Sequence, residues 1–440
     1  MFSRFTGYAT IQSEVMKIPN SHQVMKWLNP VLTRRYMLAL WIGMGAIALL
    51  SEWWSHHINN NYFVFTHVYF HLIHKQPLYI PYPHEYADIN LYGPLFGLLI
   101  APFALLPDVA GVACWVMINI LFLFIIIQQL PVNERSKQFV ILFSTMELLM
   151  NAQWLQLNAF IAACLVGSFV YFKKDKVVLA SLLIVMGSFT KLYGITGLAF
   201  MGFTKKPFKA VLWLIIWSLV AFCLPMLISS PAYIVHSYQE WFQTLVIKNS
   251  KNVHDAMNNF YQDISAMGLI KRISGLSQDI DIWVIVSGLI IMAISFVGVL
   301  KRRFKPDIQL LWLSAIMLFT VLFSTGAESP TYIIAVVGVA IWFVSYAQEK
   351  YPRLSVVLLA LVLLLTSIAS TDLVTPWVRI HVVRRYALKA LPCLIVWGVI
   401  VFDLMKYAWM PALHMHMNDT DKGRSIQQKP YSMKNLNIGR

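Results

Sequence analysis

Charge is what this 440-residue chain has least of: 12% of its residues are charged, and only 20 are Asp or Glu. A soluble domain carries roughly a quarter. With 58% hydrophobic residues and a mean hydropathy of +0.63, a soluble fold would leave most of its apolar surface uncovered. Cysteine is also rare. Cys114, Cys164, Cys223 and Cys393 all fall in apolar runs and form no CxxC pair, so they read as small core residues rather than disulfides or metal thiolates. Glycine-rich phosphate loops, GxSxG, HExxH and internal repeats are missing, which leaves soluble nucleotide chemistry without support. The stretch from Met1 to Pro30 lacks the basic start, apolar core and small-residue cleavage site of a secretory signal. The first apolar run, Tyr36 to about Trp54, is therefore expected to stay as an uncleaved anchor.

What the chain has instead is a series of apolar runs, many near the roughly 20 residues that cross a bilayer. An all-α, polytopic membrane protein of about twelve transmembrane helices is expected. The basic clusters at Arg34-Arg35, Lys173 to Lys176, Lys205 to Lys209, Lys301 to Lys305 and Lys350 to Arg353, with the C-terminal tail, belong in the cytoplasm by the positive-inside tendency. That sets the parity of the spans. Lys176 and Lys205 share a side only if two short helices meet near Lys191. By the same logic Phe139–Met150 and Leu155–Phe172 pair through an outer turn at 151–158, and Leu95–Leu106 is a shallow helix rather than a crossing. The expected organisation is a cytoplasmic arm over 1–35, a transmembrane domain over 36–408 with outer loops 51–90 and 229–281, and a basic cytoplasmic tail over 409–440. The net charge of +15 is thereby a topology signal and an attraction to anionic membrane lipids, with no nucleic-acid partner.

Most of the notable polar residues fall on the outer face of this scheme. Tyr82-Pro83-His84-Glu85-Tyr86-Ala87-Asp88 places two carboxylates three residues apart where the chain re-enters the bilayer. A partly desolvated carboxylate there suits a general base; alternatively both are solvated loop acids, or Asp88 caps the helix starting near Tyr92. Lys191 stands at the break between two short helices, either holding a phosphate or snorkelling to water. Gln156 and Asn158 read as sugar hydrogen-bonders or as interhelical glue. Gln262 and Ser265, followed by Lys271-Arg272, either shape a substrate site with phosphate contacts or are solvated. Glu328 is a third candidate base, whereas Glu147 reads as a packing acid with a partner. Arg379, Arg384 and Arg385 break the positive-inside rule, as a lipid-phosphate clamp or an interfacial cluster. His67, His71 and His74 share a helical face, but with aromatics around them and no acid in the stripe they read as an interfacial helix rather than a metal site.

The order of these features, an uncleaved first span, a long outer loop, Tyr-Pro followed by Tyr92-Gly93-Pro94-Leu95-Phe96, then Gln156-Leu157-Asn158 and Lys191-Leu192-Tyr193, resembles glycosyltransferase family 87, which has the GT-C fold. The resemblance covers roughly Tyr62 to Trp342. It implies an α-mannosyltransferase-like enzyme of the cell membrane, as in a bacterial inner membrane. Such an enzyme takes a hexose from a polyprenyl-phosphate donor and passes it, with inversion, to a hydroxyl of a glycolipid or glycan acceptor on the outer face; no cofactor or metal is implied. It makes Asp88 and then Glu85 the base candidates, and Lys191, Gln156, Asn158, Tyr193, Gln262, Ser265 and Glu328 the substrate-binding ones. Three positions depart from the family pattern. Asn59-Asn60-Asn61 stands where an acid is usual, Leu155 where Gly precedes the Gln, and Gly194 where Pro follows the Lys turn. The competing reading is a transporter or flippase of a lipid-linked sugar, although carriers show repeats and midplane breaks that are missing here. A third is a non-catalytic sugar-lipid binder.

Overall fold

The computed structural model describes residues 18–54, 58–276, 280–303 and 305–409, and no strand occurs among them. Residues 1–17 of the expected N-terminal arm, 55–57 of the first outer loop and the basic tail from 410 onward lie outside the described residues. Among the described residues six helices are long and apolar enough to cross a membrane: Arg34–Trp54, Asp108–Ile127, Pro207–Leu227, Ile280–Lys301, Ser329–Lys350 and Ala390–Trp409. The protein is thus an all-helical polytopic membrane protein.

In chain order the elements are α1 (Ser21–Leu28), α2 (Arg34–Trp54), α3 (Asn60–His74), α4 (Leu95–Ala104), α5 (Asp108–Ile127), α6 (Glu134–Gln153), α7 (Asn158–Lys173) and α8 (Val177–Thr190). A 3-10 run, Leu192–Phe203, leads to α9 (Pro207–Cys223), α10 (Pro231–Asp255), α11 (Ala266–Ser274), α12 (Ile280–Lys301), α13 (Pro306–Leu322) and α14 (Tyr332–Trp342). The last helix is Ala390–Trp409. Every residue of α14 is buried, and it forms the centre with α13, α6 and α7. An apolar helix with no polar stripe can sit only there or against lipid. By contrast α9 and α2 leave most of their apolar surface exposed, as helices facing acyl chains do.

The basic clusters do gather at one end. Thr204 and the Lys205 amide donate to Asp175 at 2.8 and 2.7 Å, Lys174 reaches Gln129, and Lys350 pairs with Asp403 at 2.8 Å. Ser21 of α1 docks there on the Gln348 carbonyl at 2.6 Å.

Between Lys176 and Lys205 the chain goes up and returns as expected. The 14 residues of α8 rise about 21 Å. The returning 12 residues are wound as a 3-10 helix, whose steeper rise covers about 24 Å. The two legs pack almost backbone to backbone: a Cβ on Gly194 would lie 2.3 Å from the Gly187 carbonyl carbon. The departure from Pro at 194 is therefore a packing requirement, because only glycine lets the legs approach this closely. The turn after α6 explains the other glycine departure. Leu155 has φ +50, a left-handed conformation that costs a side-chain-bearing residue about 1–2 kcal/mol. Here a leucine adopts it, with its side chain buried and its carbonyl accepting from Trp115 at 2.8 Å.

Candidate functional site

At the end opposite the basic loops a cavity of about 530 Å³ is walled by the chain near 88–92, the α6–α7 turn, Lys191–Tyr193, α10, the 260–264 loop, the 324–330 turn and residues 383–389. Among the candidates, it brings together Asp88, Gln156, Lys191, Tyr193, Gln262 and Glu328.

Lys191 follows the C-terminus of α8, where α8 ends against the first loop: the Gly93 amide donates to the Thr190 carbonyl at 3.3 Å. A Cβ on Gly93 would lie 2.2 Å from the Phe189 carbonyl oxygen, so glycine is what permits this approach. The Lys191 ammonium donates to Asn158 Oδ1 at 2.8 Å and lies 5.1 and 6.0 Å from the rings of Tyr193 and Tyr92. Among the described residues no carboxylate pairs with it directly; burial lowers its pKa, and Glu328 offsets this only in part. Asn158 is buried behind the wall, so it serves the lysine rather than the cavity. Gln156 accepts from the Tyr92 hydroxyl at 3.2 Å, and Tyr193 meets Ser324 at 3.1 Å.

Glu328 caps the turn before α14, accepting from the Thr331 amide. Its Oε1 also accepts from Gln262 at 2.7 Å. Asp88 is exposed at the rim, with Oδ1 taking the Ile89 amide at 2.8 Å. Asp88 does not cap α4, whose N-cap is Pro94.

Several expectations need correction. Glu85 does not line the cavity; its carboxylate is taken by His71, Nε2 to Oε2 2.8 Å. Burial lowers the His71 pKa, and Glu85 offsets this only in part. The histidine helix α3 does not lie free at an interface: it buries Tyr62, Phe65, Val68, His71 and Leu72 and packs on α4. Ser265 is absent from the lining too, because its hydroxyl caps α11 through the Gly268 amide and donates to Asp263 at 2.5 Å. Lys271 and Arg272 are neither solvated nor phosphate contacts. Lys271 sits buried between Asp263 and Asp281 at 3.0 and 2.9 Å, and Arg272 donates to the carbonyls of Ala256, Asn259, Gln262 and Arg384. Asp263, held at φ +50, is buried enough that its pKa rises despite the lysine.

The three asparagines in place of the usual acid are structural. Asn59 caps α3, Asn60 accepts from the Ala87 amide at 2.8 Å, and Asn61 donates to the Trp154 carbonyl at 2.9 Å. They tie the carboxylate-bearing loop and the α6–α7 turn to one helix start.

Three cations of the wall were not singled out as site residues: Lys248, Arg384 and Lys389. Arg384 had appeared only within its basic cluster. Lys248 sits in a polar 25-residue helix with no distinguishing pattern, whereas Lys389 had a signal, a lone lysine just ahead of the last apolar run. Glu147 has the partner expected of it, and the partner is Lys389.

No curated protein and no solved structure matches this chain. The family model described as Glycosyltransferase family 87 matches residues 90–325, more than half of it, including the first-loop exit, the Lys191 turn and the wall up to Thr325. The chain belongs to glycosyltransferase family 87 and is a membrane glycosyltransferase.

Proposed function

We propose that this glycosyltransferase moves a hexose, most simply mannose, from a polyprenyl-phosphate donor to a hydroxyl of a glycolipid or glycan acceptor, with inversion, in the cavity bounded by Lys191, Asp88 and Glu328. The observation that carries the reading is a lysine without a directly bound carboxylate, fixed by Asn158 and two tyrosine rings in the same cavity as two carboxylates. As the anomeric carbon leaves phosphate oxygen, the electron pair and negative charge collect on the phosphate, where a preorganised cation lowers the barrier. The acceptor oxygen forms the new bond from the opposite side and gives its proton to a carboxylate. Asp88 is assigned that role first and Glu328 second. Gln156, Tyr193 and Gln262, which line the same cavity, are assigned to bind substrate hydroxyls.

The gathering of basic loops at the other end supports an outward-facing cavity with both termini cytoplasmic, as in a bacterial inner membrane. The test is incubation of the purified protein with polyprenyl-phospho-mannose and a panel of glycolipid acceptors. Release of polyprenyl phosphate together with an inverted glycosidic linkage is expected. Transfer from a nucleotide sugar and not from the lipid donor would overturn the donor assignment.

A further inference from the structure

Cations at the cavity end of the molecule are mostly consumed by internal partners. Lys271 is held by two aspartates, Lys389 by Glu147, Arg379 by Asp372, and Arg272 by backbone carbonyls. Besides Lys191, two cations of the wall are different: among the described residues Lys248 and Arg384 have no carboxylate partner. Both are half-buried and line the cavity.

Their placement is built. Helix α10 is fastened at Trp241, which donates to the Leu91 carbonyl at 3.0 Å, and again at Asn252, which donates to the Thr325 carbonyl at 3.1 Å. Lys248 lies between these fastenings and is carried over the cavity. The Arg384 guanidinium carbon lies over the Tyr261 ring, 4.6 Å from its centre, and the Arg384 carbonyl accepts from Arg272. The residue after Tyr261 is Gln262, whose amide is bonded to Glu328, and Glu328 in turn faces Lys191. The Gln262–Glu328 pair therefore links the Lys191 part of the wall to the part that holds Arg384.

We propose that Lys248 and Arg384 form a second anion station, which binds an oxyanion of the acceptor, a phosphate or a carboxylate, separate from the donor phosphate at Lys191. The proposal rests on the reading above for the role of Lys191. Two cations that face one cavity without carboxylate partners attract an oxyanion entering it and can give it charge-assisted hydrogen bonds. A guanidinium over an aromatic ring still presents its edge donors to an oxyanion. The acceptor class is then an acidic glycolipid or glycan, and a neutral one binds less well.

The test is equilibrium binding to the full-length protein in nanodiscs saturated with polyprenyl phosphate, followed by tryptophan fluorescence, since Trp154 lines the cavity. The probes are octyl mannoside, its 6-phosphate, and octyl mannuronoside. At least one anionic probe should bind about tenfold tighter than the neutral one, the scale of one or two charge-assisted hydrogen bonds. In K248Q/R384Q that preference should vanish while polyprenyl phosphate binds as before, and R384K should keep most of it. Phosphate and carboxylate are told apart by which probe gains. Equal binding of all three probes to the parent overturns the proposal, and so does a double variant that loses polyprenyl phosphate instead. Because the readout is binding, it stands whether or not transfer from the lipid donor is observed.

Discussion

Lys389 and Glu147 are 242 residues apart in sequence, and in the fold the lysine ammonium lies 2.9 Å from both carboxylate oxygens of the glutamate. Both side chains are buried, and the lysine also stands 5.1 Å from the Tyr332 ring. The pair joins α6 to the start of the last helix at the edge of the cavity.

Removing one partner of a buried pair leaves the other charge uncompensated, so Glu147→Gln should cost about 3–5 kcal/mol. Glu147→Gln combined with Lys389→Met should recover a good part of that loss. Thermal unfolding of the purified variants in detergent checks both. A single variant as stable as the parent would mean that the pair does not hold the bundle.

Lys191→Met should reduce transfer by about 2–4 kcal/mol of transition-state stabilisation, the scale of one preorganised electrostatic contact. Asn158→Ala keeps the cation and removes its 2.8 Å anchor, so its loss in kcat should be smaller. Unchanged turnover in Lys191→Met with intact folding would return the lysine to a snorkelling role.

Asp88→Asn keeps size and hydrogen bonding while deleting the proton acceptor, and should lower turnover by about a hundredfold or more with donor binding intact. Glu85→Gln should retain turnover, because Glu85 is bonded to His71 and does not line the cavity. If Asp88→Asn turns over at the parent rate, Glu328→Gln should show the loss instead. Parent rates in both would exclude a carboxylate base at this site.

Acidification should loosen the loop that carries Asp88. Burial holds the His71 pKa below its ordinary value, so the folded protein binds the proton less readily than the unfolded chain. The contribution of His71 to stability is thus fully present above about pH 6.5 and is lost as pH falls from there through the lowered folded value. The protection factors of the amides in 82–88, taken relative to intrinsic exchange at each pH, should fall between about pH 7.5 and 5, and His71→Gln should flatten that dependence. Equal slopes in parent and variant would remove His71 from the account.

Part of this protein is legible from sequence because it depends on local properties. Apolar runs of membrane length, basic clusters between them and the polar break at Lys191 are each confined to a few residues, and together they point to an all-helical polytopic membrane protein and to the two helix legs around Lys191. The short α4 and the turn at 151–158 follow from the same counting, since a run too short to cross has to turn back. The resemblance carried by the Tyr-Pro, Gln156 and Lys191 motifs pointed to the family that the match over 90–325 establishes.

The tertiary structure decided which polar residues share the cavity and which are used up elsewhere. Lys389 meets Glu147, Gln262 meets Glu328, and Lys248 is swung over the site because α10 is fastened at both Leu91 and Thr325. Ser265, Lys271 and Glu85 look as available in sequence as Gln262 or Asp88, yet a helix cap, two aspartates and a histidine take them. The reason is geometric. A helix apolar all round, such as α14, has no periodicity to say which neighbour it packs against, so contacts between distant residues follow from how whole helices close-pack and not from any local pattern.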